Sequence, residues 1–172
     1  MNNKNNIFLV GFMGSGKSTL GKKLAAKLNM TFFDLDQLIE EKEGKTIAEI
    51  FSQHGETYFR DLETTVLKQT INQHQGFVLA LGGGTPIFNN NMELVNQNGT
   101  SVYLKYNAGM LSSRLLTAKQ QRPLIAGKNE IELKQFVSDL LTQREPYYLK
   151  SKLVVEGNNI SANDILERLG KN

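Results

Sequence analysis

The chain has no cysteine in its 172 residues, which excludes disulfides, thiolate metal sites and cysteine nucleophiles together and agrees with a reducing compartment. It also lacks any apolar run near the roughly 20 residues that cross a bilayer. The opening MNNKNNIFLVG has neither a basic leader region nor an apolar stretch long enough for secretion. The expectation is a cytoplasmic protein with no membrane attachment. An excess of one charge is missing too: 20 Lys and Arg face 17 Asp and Glu, a net charge of +3, and the signs alternate along segments such as LIEEKEGK. That pattern argues against a nucleic-acid partner and leaves room for a small anionic ligand held by a few of the charges. Internal repeats, low-complexity tracts and linkers are absent as well. Residues 1–172 therefore read as one domain, with 1–6 as a disordered polar tail. Without a large exposed apolar stripe, a monomer is the default.

What is present is ordinary for a globular protein, with 40% hydrophobic and 22% charged residues. Apolar runs suited to buried parallel strands are IFLV (7–10), TFFD (31–34), FVLAL (77–81), SVYLK (101–105) and LVV (153–155), separated by stretches of helical periodicity. This alternation predicts an α/β fold, a three-layer α/β/α sandwich around a parallel sheet. TIAE at 46–49 has the spacing of a capping box, and Gly55 suits the end of that short helix. A longer helix over 56–73 would bury Phe59, Leu62, Val66, Leu67 and Ile71. NAGMLSSRLLTA and SANDILERLG read as further helices. Residues 118–129, with Pro123 and Gly127, suit an exposed mobile loop, and a helix from 130 to about 144 should end before Pro146.

The first strand runs into GFMGSGKST, where Gly11, Gly16, Lys17 and Ser18 satisfy G-x-x-x-x-G-K-[ST], and LGKKLAAKL continues as a helix. Glycines let successive N–H groups turn toward phosphate oxygens at a helix N-terminus. Lys17 would neutralise the β- and γ-phosphates of a nucleotide, and Ser18 would supply a hydroxyl to Mg²⁺. A motor or switch NTPase usually closes its metal site with an Asp ending another central strand, but the third strand runs into Gly82, Gly83 and Gly84. N-K-x-D and D-x-x-G are missing, so a regulatory GTPase would lack its usual parts. A small kinase remains.

Phosphoryl transfer asks a protein for positioning, charge neutralisation and a carboxylate to orient the attacking hydroxyl. Asp34 and Asp36 in FFDLDQL are candidates, Asp34 toward the Mg²⁺ hydration shell and Asp36 toward acceptor hydroxyls, although Asp36 could instead cap the helix beginning QLIEEKEG. Arg60, Arg122 and Arg144 carry forks that suit carboxylates and phosphates. Each also has a plain alternative: a surface pair network with Glu56 and Glu63, a solvated loop, and a helix C-terminal cap. The glycine triplet could be a flexible turn or a place where backbone approaches a ligand at the carboxyl edge of the sheet.

In this order and length, GFMGSGKST, FFDLD, GETYFRDLE, LGGGT, RPL and REPYY resemble the shikimate kinase family over about residues 7–170. The resemblance implies a nucleoside-monophosphate-kinase-like sandwich with a five-stranded parallel sheet, and phosphorylation of the 3-hydroxyl of shikimate by ATP. It implies that Gly14, Ser15, Gly16, Lys17, Ser18 and Thr19 cradle ATP. Ser18 would ligate Mg²⁺ and Asp34 would reach the metal through water. Asp36, Arg60, Arg144 and Gly82, Gly83 and Gly84 match the acceptor site, with Lys17, Asp36 and Arg122 as the catalytic groups and Glu63 fixing Arg60. It makes residues 118–129 a mobile lid that carries Arg122, and it places Arg114 beside the adenine. Other P-loop kinases with a small acceptor, for gluconate or a nucleoside monophosphate, stay open on physical grounds, as does a nucleotide-binding module without turnover.

Overall fold

The computed structural model describes residues 5–118 and 123–170. The elements alternate as expected, with β1 (Ile7–Val10), α1 (Lys17–Leu28), β2 (Thr31–Asp34), α2 (Leu35–Glu43), α3 (Ile47–Gln73) and β3 (Phe77–Ala80) in the first half. A 3₁₀ turn (Thr85–Ile87), α4 (Asn91–Asn98), β4 (Thr100–Lys105) and α5 (Ala108–Thr117) follow, then α6 (Glu130–Tyr148), β5 (Leu153–Glu156) and α7 (Ala162–Gly170). The strands form one parallel sheet in the order β2-β3-β1-β4-β5. Both β1 and β3 are buried at every position, which requires helices on both faces and explains why these strands read as unbroken apolar runs. Their side chains join the helices in one continuous core that includes Phe8, Leu9, Leu67, Phe77 and Val102.

The central strand β1 lies between β3 and β4, where the chain order along the sheet reverses, so the loop after β1 opens into the crevice at the carboxyl edge. Residues 47–73 are two helical stretches meeting at Gly55, whose φ of 79° is left-handed, and the capping box of Thr46 and Glu49 is present. The five apolar residues expected to face inward from the second stretch are all buried. Among the described residues no helix is long and apolar enough to cross a membrane.

Two expectations and one alternative reading need correction. Helix α6 does not stop before Pro146 but continues through it to Tyr148. The burial of Tyr148 and the bond from Leu149 N to Glu145 O hold a turn that proline alone would disfavour. Asp34, rather than Asp36, caps α2: its Oδ1 accepts from the N–H groups of Asp36 and Gln37 at 3.1 and 3.4 Å. The tail expected over residues 1–6 does not include Asn6, which is buried, donates to Asn98 O and accepts from Gly76 N. Helix α4 went without a sequence signal, since NMELVNQN is rich in Asn and carries little apolar periodicity.

Candidate active site

The loop between β1 and α1 turns on Gly14 and Gly16, both left-handed at φ 79° and 83°, and Gly16 stands at the N-cap of α1. A side chain at Gly14 would also press on Leu115 of α5, so α5 lies against the loop. Lys17 folds its Nζ over the loop and donates to Gly11 O at 2.8 Å and Phe12 O at 2.9 Å, with Ser15 Oγ at 3.4 Å. Ser18 Oγ donates to Asp34 Oδ2 in a very short contact. One hydroxyl and one carboxylate at the mouth of a phosphate loop form an all-oxygen set. That suits a hard cation which keeps most of its ligands as water and phosphate. Among the described residues there is no cluster of three or more His, Cys, Asp or Glu that would hold a softer ion.

Across the crevice the glycine triplet serves as a floor. None of its members has the left-handed φ that would mark a flexible turn, so space accounts for their presence. A Cβ at Gly82 would stand 2.9 Å from Glu63 Oε1 and 3.1 Å from Asp36 Oδ1. At Gly84 it would run into the Arg60 guanidinium at 2.5–2.7 Å, and at Gly83 it would meet Arg144 Nη1 at 3.3 Å. The same strand end thus gathers Asp36 from α2, Arg60 and Glu63 from α3, and Arg144 from α6. The Gly83 position also touches Met13 N and Gly11 O at 3.5 and 3.7 Å, which puts the triplet against the phosphate loop itself.

Arg60 is buried rather than part of a surface network. Its Nη1 pairs with Glu63 Oε2 at 3.0 Å, Glu56 lies 3.4 Å from Nε, and the guanidinium stacks 4.4 Å from the Phe88 ring centre. Burial pushes the Glu63 carboxyl above its ordinary range, opposed by Arg60, by a 2.5 Å bond from Thr85 Oγ1 and by Arg144. Arg144 does not cap a helix end, because α6 passes beyond it and turns it toward the Phe12 ring, 5.9 Å away. Arg114 lies over the Tyr106 ring at 4.1 Å, with Nη1 3.9 Å from a Cβ position at Gly16, so it flanks the phosphate loop. Arg122 lies outside the described residues, as does part of the expected lid, whose described part contains a 3₁₀ turn at Pro123–Ile125.

Two groups escaped sequence reasoning. Thr85 follows the triplet and reaches Glu63, and Tyr148 donates to Gly83 O at 2.5 Å. A threonine in a turn and a tyrosine after a proline give no local sign of such contacts, which arise only when α3, α6 and β3 meet.

A phosphate loop at the head of a parallel sheet, faced by the buried Arg60 guanidinium, the half-buried Arg144 guanidinium and a carboxylate, is the arrangement of a P-loop phosphotransferase. A family model for shikimate kinase matches residues 13–171. Shikimate kinases from Azobacteroides pseudotrichonymphae and Bacteroides fragilis are 44% and 45% identical to the chain, covering 95% and 86% of it and 96% and 82% of their own lengths. The crystal structure of shikimate kinase from Bacteroides thetaiotaomicron superposes with a TM-score of 0.91 at 39% identity, over 97% of both chains. That from Acinetobacter baumannii, solved in complex with shikimate, gives 0.85 at 37%, over 97% and 91%. The chain belongs to the shikimate kinase family.

Proposed function

We propose that the chain, acting as a single P-loop kinase domain, transfers the γ-phosphoryl group of ATP to the 3-hydroxyl of shikimate. The products are shikimate 3-phosphate and ADP, a step of chorismate and aromatic amino-acid biosynthesis. The observation that carries the reading is the convergence of Asp36, Arg60 and Arg144 on Gly82, Gly83 and Gly84, packed directly against the phosphate loop. A carboxylate-bearing polyol is the acceptor such a pocket recognises, and the Acinetobacter relative bound to shikimate supports it.

Gly14, Ser15, Gly16, Ser18 and Thr19 offer N–H groups and hydroxyls to the ATP phosphates. Lys17 exchanges its loop carbonyls for phosphate oxygens as charge develops there. Ser18 and, through water, Asp34 are the residues that would hold Mg²⁺, which would supply charge neutralisation at the phosphates. Arg60, clamped by Glu63, and Arg144 grip the acceptor carboxylate with bidentate forks. Backbone groups of the triplet line the ring. Asp36 then faces the hydroxyl to be phosphorylated and takes its proton as the oxygen attacks. Arg114 packs beside the adenine, and the role for Arg122, which lies outside the described residues, is to neutralise the phosphates. The enzyme works as a cytoplasmic monomer, without nucleic acid or membrane.

ADP release with ATP and Mg²⁺ tests the reading, with shikimate, gluconate, a panel of nucleoside monophosphates and no acceptor compared side by side. Turnover dependent on shikimate alone is expected. Turnover with another acceptor would overturn the substrate assignment, and ATP binding without turnover on any acceptor would overturn the enzymatic one.

A further inference from the structure

Helix α6 carries a proline in its last two turns and still runs on to Tyr148, a fully buried side chain. Its phenol donates to Gly83 O at 2.5 Å, and its ring packs against Tyr103 with centroids 5.2 Å apart. The Arg144 guanidinium, one turn earlier on the same helix, has Nη1 3.3 Å from a Cβ position at Gly83, and its charge acts on the same phenol. Two parts of the proposed acceptor pocket, the Gly83 peptide bonded to the phenol and the guanidinium beside that peptide, therefore lie around one hydroxyl.

The two arginines are held by different means. Arg60 is held by Glu63 and Glu56, whereas Arg144 makes no ion pair within 4.0 Å among the described residues. A carboxylate beside Arg144 would compete with an incoming acceptor anion for the same fork. A phenol orients the guanidinium and leaves its charge for the ligand. Burial pushes the Tyr148 phenol up to about 12, so it remains a protonated donor through the neutral range.

We propose that Tyr148 is a positioning residue for the acceptor, its hydroxyl holding the Gly83 peptide and the Arg144 guanidinium in one fixed relation. The inference rests on the reading that Arg144 and the triplet bind the acceptor carboxylate and ring. Tyr148 touches no reacting atom. It fixes the geometry of the groups that do, and losing its oxygen weakens acceptor binding while sparing the nucleotide half.

The test is steady-state kinetics and thermal melting of the full chain carrying Tyr148→Phe, beside Tyr103→Phe, which deletes a neighbouring hydroxyl whose bond goes to Glu145 rather than to the triplet. Both changes keep the ring and its packing. Tyr148→Phe should raise the KM for shikimate on the order of tenfold, the scale of one lost buried hydrogen bond and its misaligned partner, with the KM for ATP within about twofold of the parent. Tyr103→Phe should leave both constants unchanged at a comparable loss of melting temperature. In a cycle with Arg144→Ala the two effects should not multiply, because the second removal finds nothing left to orient.

An acceptor KM within about twofold of the parent in Tyr148→Phe, an equal rise in both KM values, or independent effects in the cycle would each overturn the proposal. If Arg144→Ala itself leaves the acceptor KM untouched, the assignment of Arg144 fails and this inference fails with it. If Arg144→Ala weakens the acceptor strongly and Tyr148→Phe does not, this inference alone is wrong.

Discussion

The two halves of the crevice are built in opposite ways. The half proposed to take the nucleotide is one contiguous loop in which main-chain geometry at Gly14 and Gly16 does most of the shaping, with Lys17 tied to carbonyls of that same loop. The half proposed to take the acceptor is assembled from α2, α3, α6 and the end of β3, and its shape depends on side chains packed on glycines that supply space rather than unusual backbone angles. A site of the first kind tolerates change elsewhere as long as its strand and helix persist. One of the second kind is sensitive at every element that feeds it, which makes acceptor recognition the easier property to lose.

The largest separation of the halves is expected from Asp36→Asn. The change keeps size and the helix turn but removes the proton acceptor, so kcat should fall about 10³-fold, within the range of a lost general base. ATP affinity, followed by isothermal titration, should move by less than about threefold, since Asp36 stands at the triplet and not at the loop. Substantial residual turnover would remove Asp36 from the chemistry.

Gly84→Ala comes next. Its Cβ would lie 2.5–2.7 Å from the Arg60 guanidinium, which must be pushed off its pairing with Glu63. Overpacking of this kind costs about 1–3 kcal/mol, so the KM for shikimate should rise roughly ten- to a hundredfold with the KM for ATP little changed. A parallel rise in both would mean that the halves are coupled through the triplet, where Gly83 already lies against Met13 and Gly11.

Legibility in the sequence follows the same division. The strands at 7–10 and 31–34 and the phosphate loop could be read residue by residue, because a parallel core strand and a glycine turn are local objects. Asp36, Arg60 and Arg144 could be named as candidates, but each had an equally physical alternative until their positions in space were known. The alternative for Asp36 failed because the cap is Asp34, one residue before the helix. That for Arg60 failed because its partner Glu63 lies inside the core. Thr85 and Tyr148 were invisible for a general reason: nothing in a single hydroxyl's neighbourhood along the chain tells which distant oxygen it will meet. Pro146 misled because a rule about local backbone was overridden by a tertiary anchor two residues later.

A smaller effect should follow pH. Burial raises the Glu63 carboxyl above its ordinary value of 4.5. For such an acid, the folding stability it contributes is fully present below that ordinary value and is lost as pH rises through the elevated one. Acidification from neutrality therefore protonates Glu63 without unfolding the chain on its account, yet it weakens the clamp on Arg60. The KM for shikimate should climb several-fold as pH falls toward 4.5 while the KM for ATP stays flatter, and Glu63→Gln should remove that difference. An acceptor KM that tracks the ATP KM through the same window would place the titration in another group.

The smallest effect, and the finest test of how the acceptor half is held, belongs to Pro146→Ala. An interior proline costs a helix about 3 kcal/mol in a lost bond and a clash with the carbonyl four residues earlier, here that of Thr142. Part of that is offset by the stiffer unfolded chain, worth about 0.4–1 kcal/mol. Alanine should therefore stabilise the fold by about 2 kcal/mol and raise the melting temperature by several degrees. Its effect on catalysis separates two explanations of the same geometry. If proline bends the last turn and thereby aims Tyr148 and Arg144, straightening it will raise the acceptor KM. The burial of Tyr148 among Tyr103 and the triplet, with its phenol on Gly83 O, favours the other explanation, in which the turn follows the anchor. On that account the KM for shikimate stays within about twofold of the parent while the protein becomes more stable, and the proline is a tolerated strain in a scaffold fixed two residues beyond it.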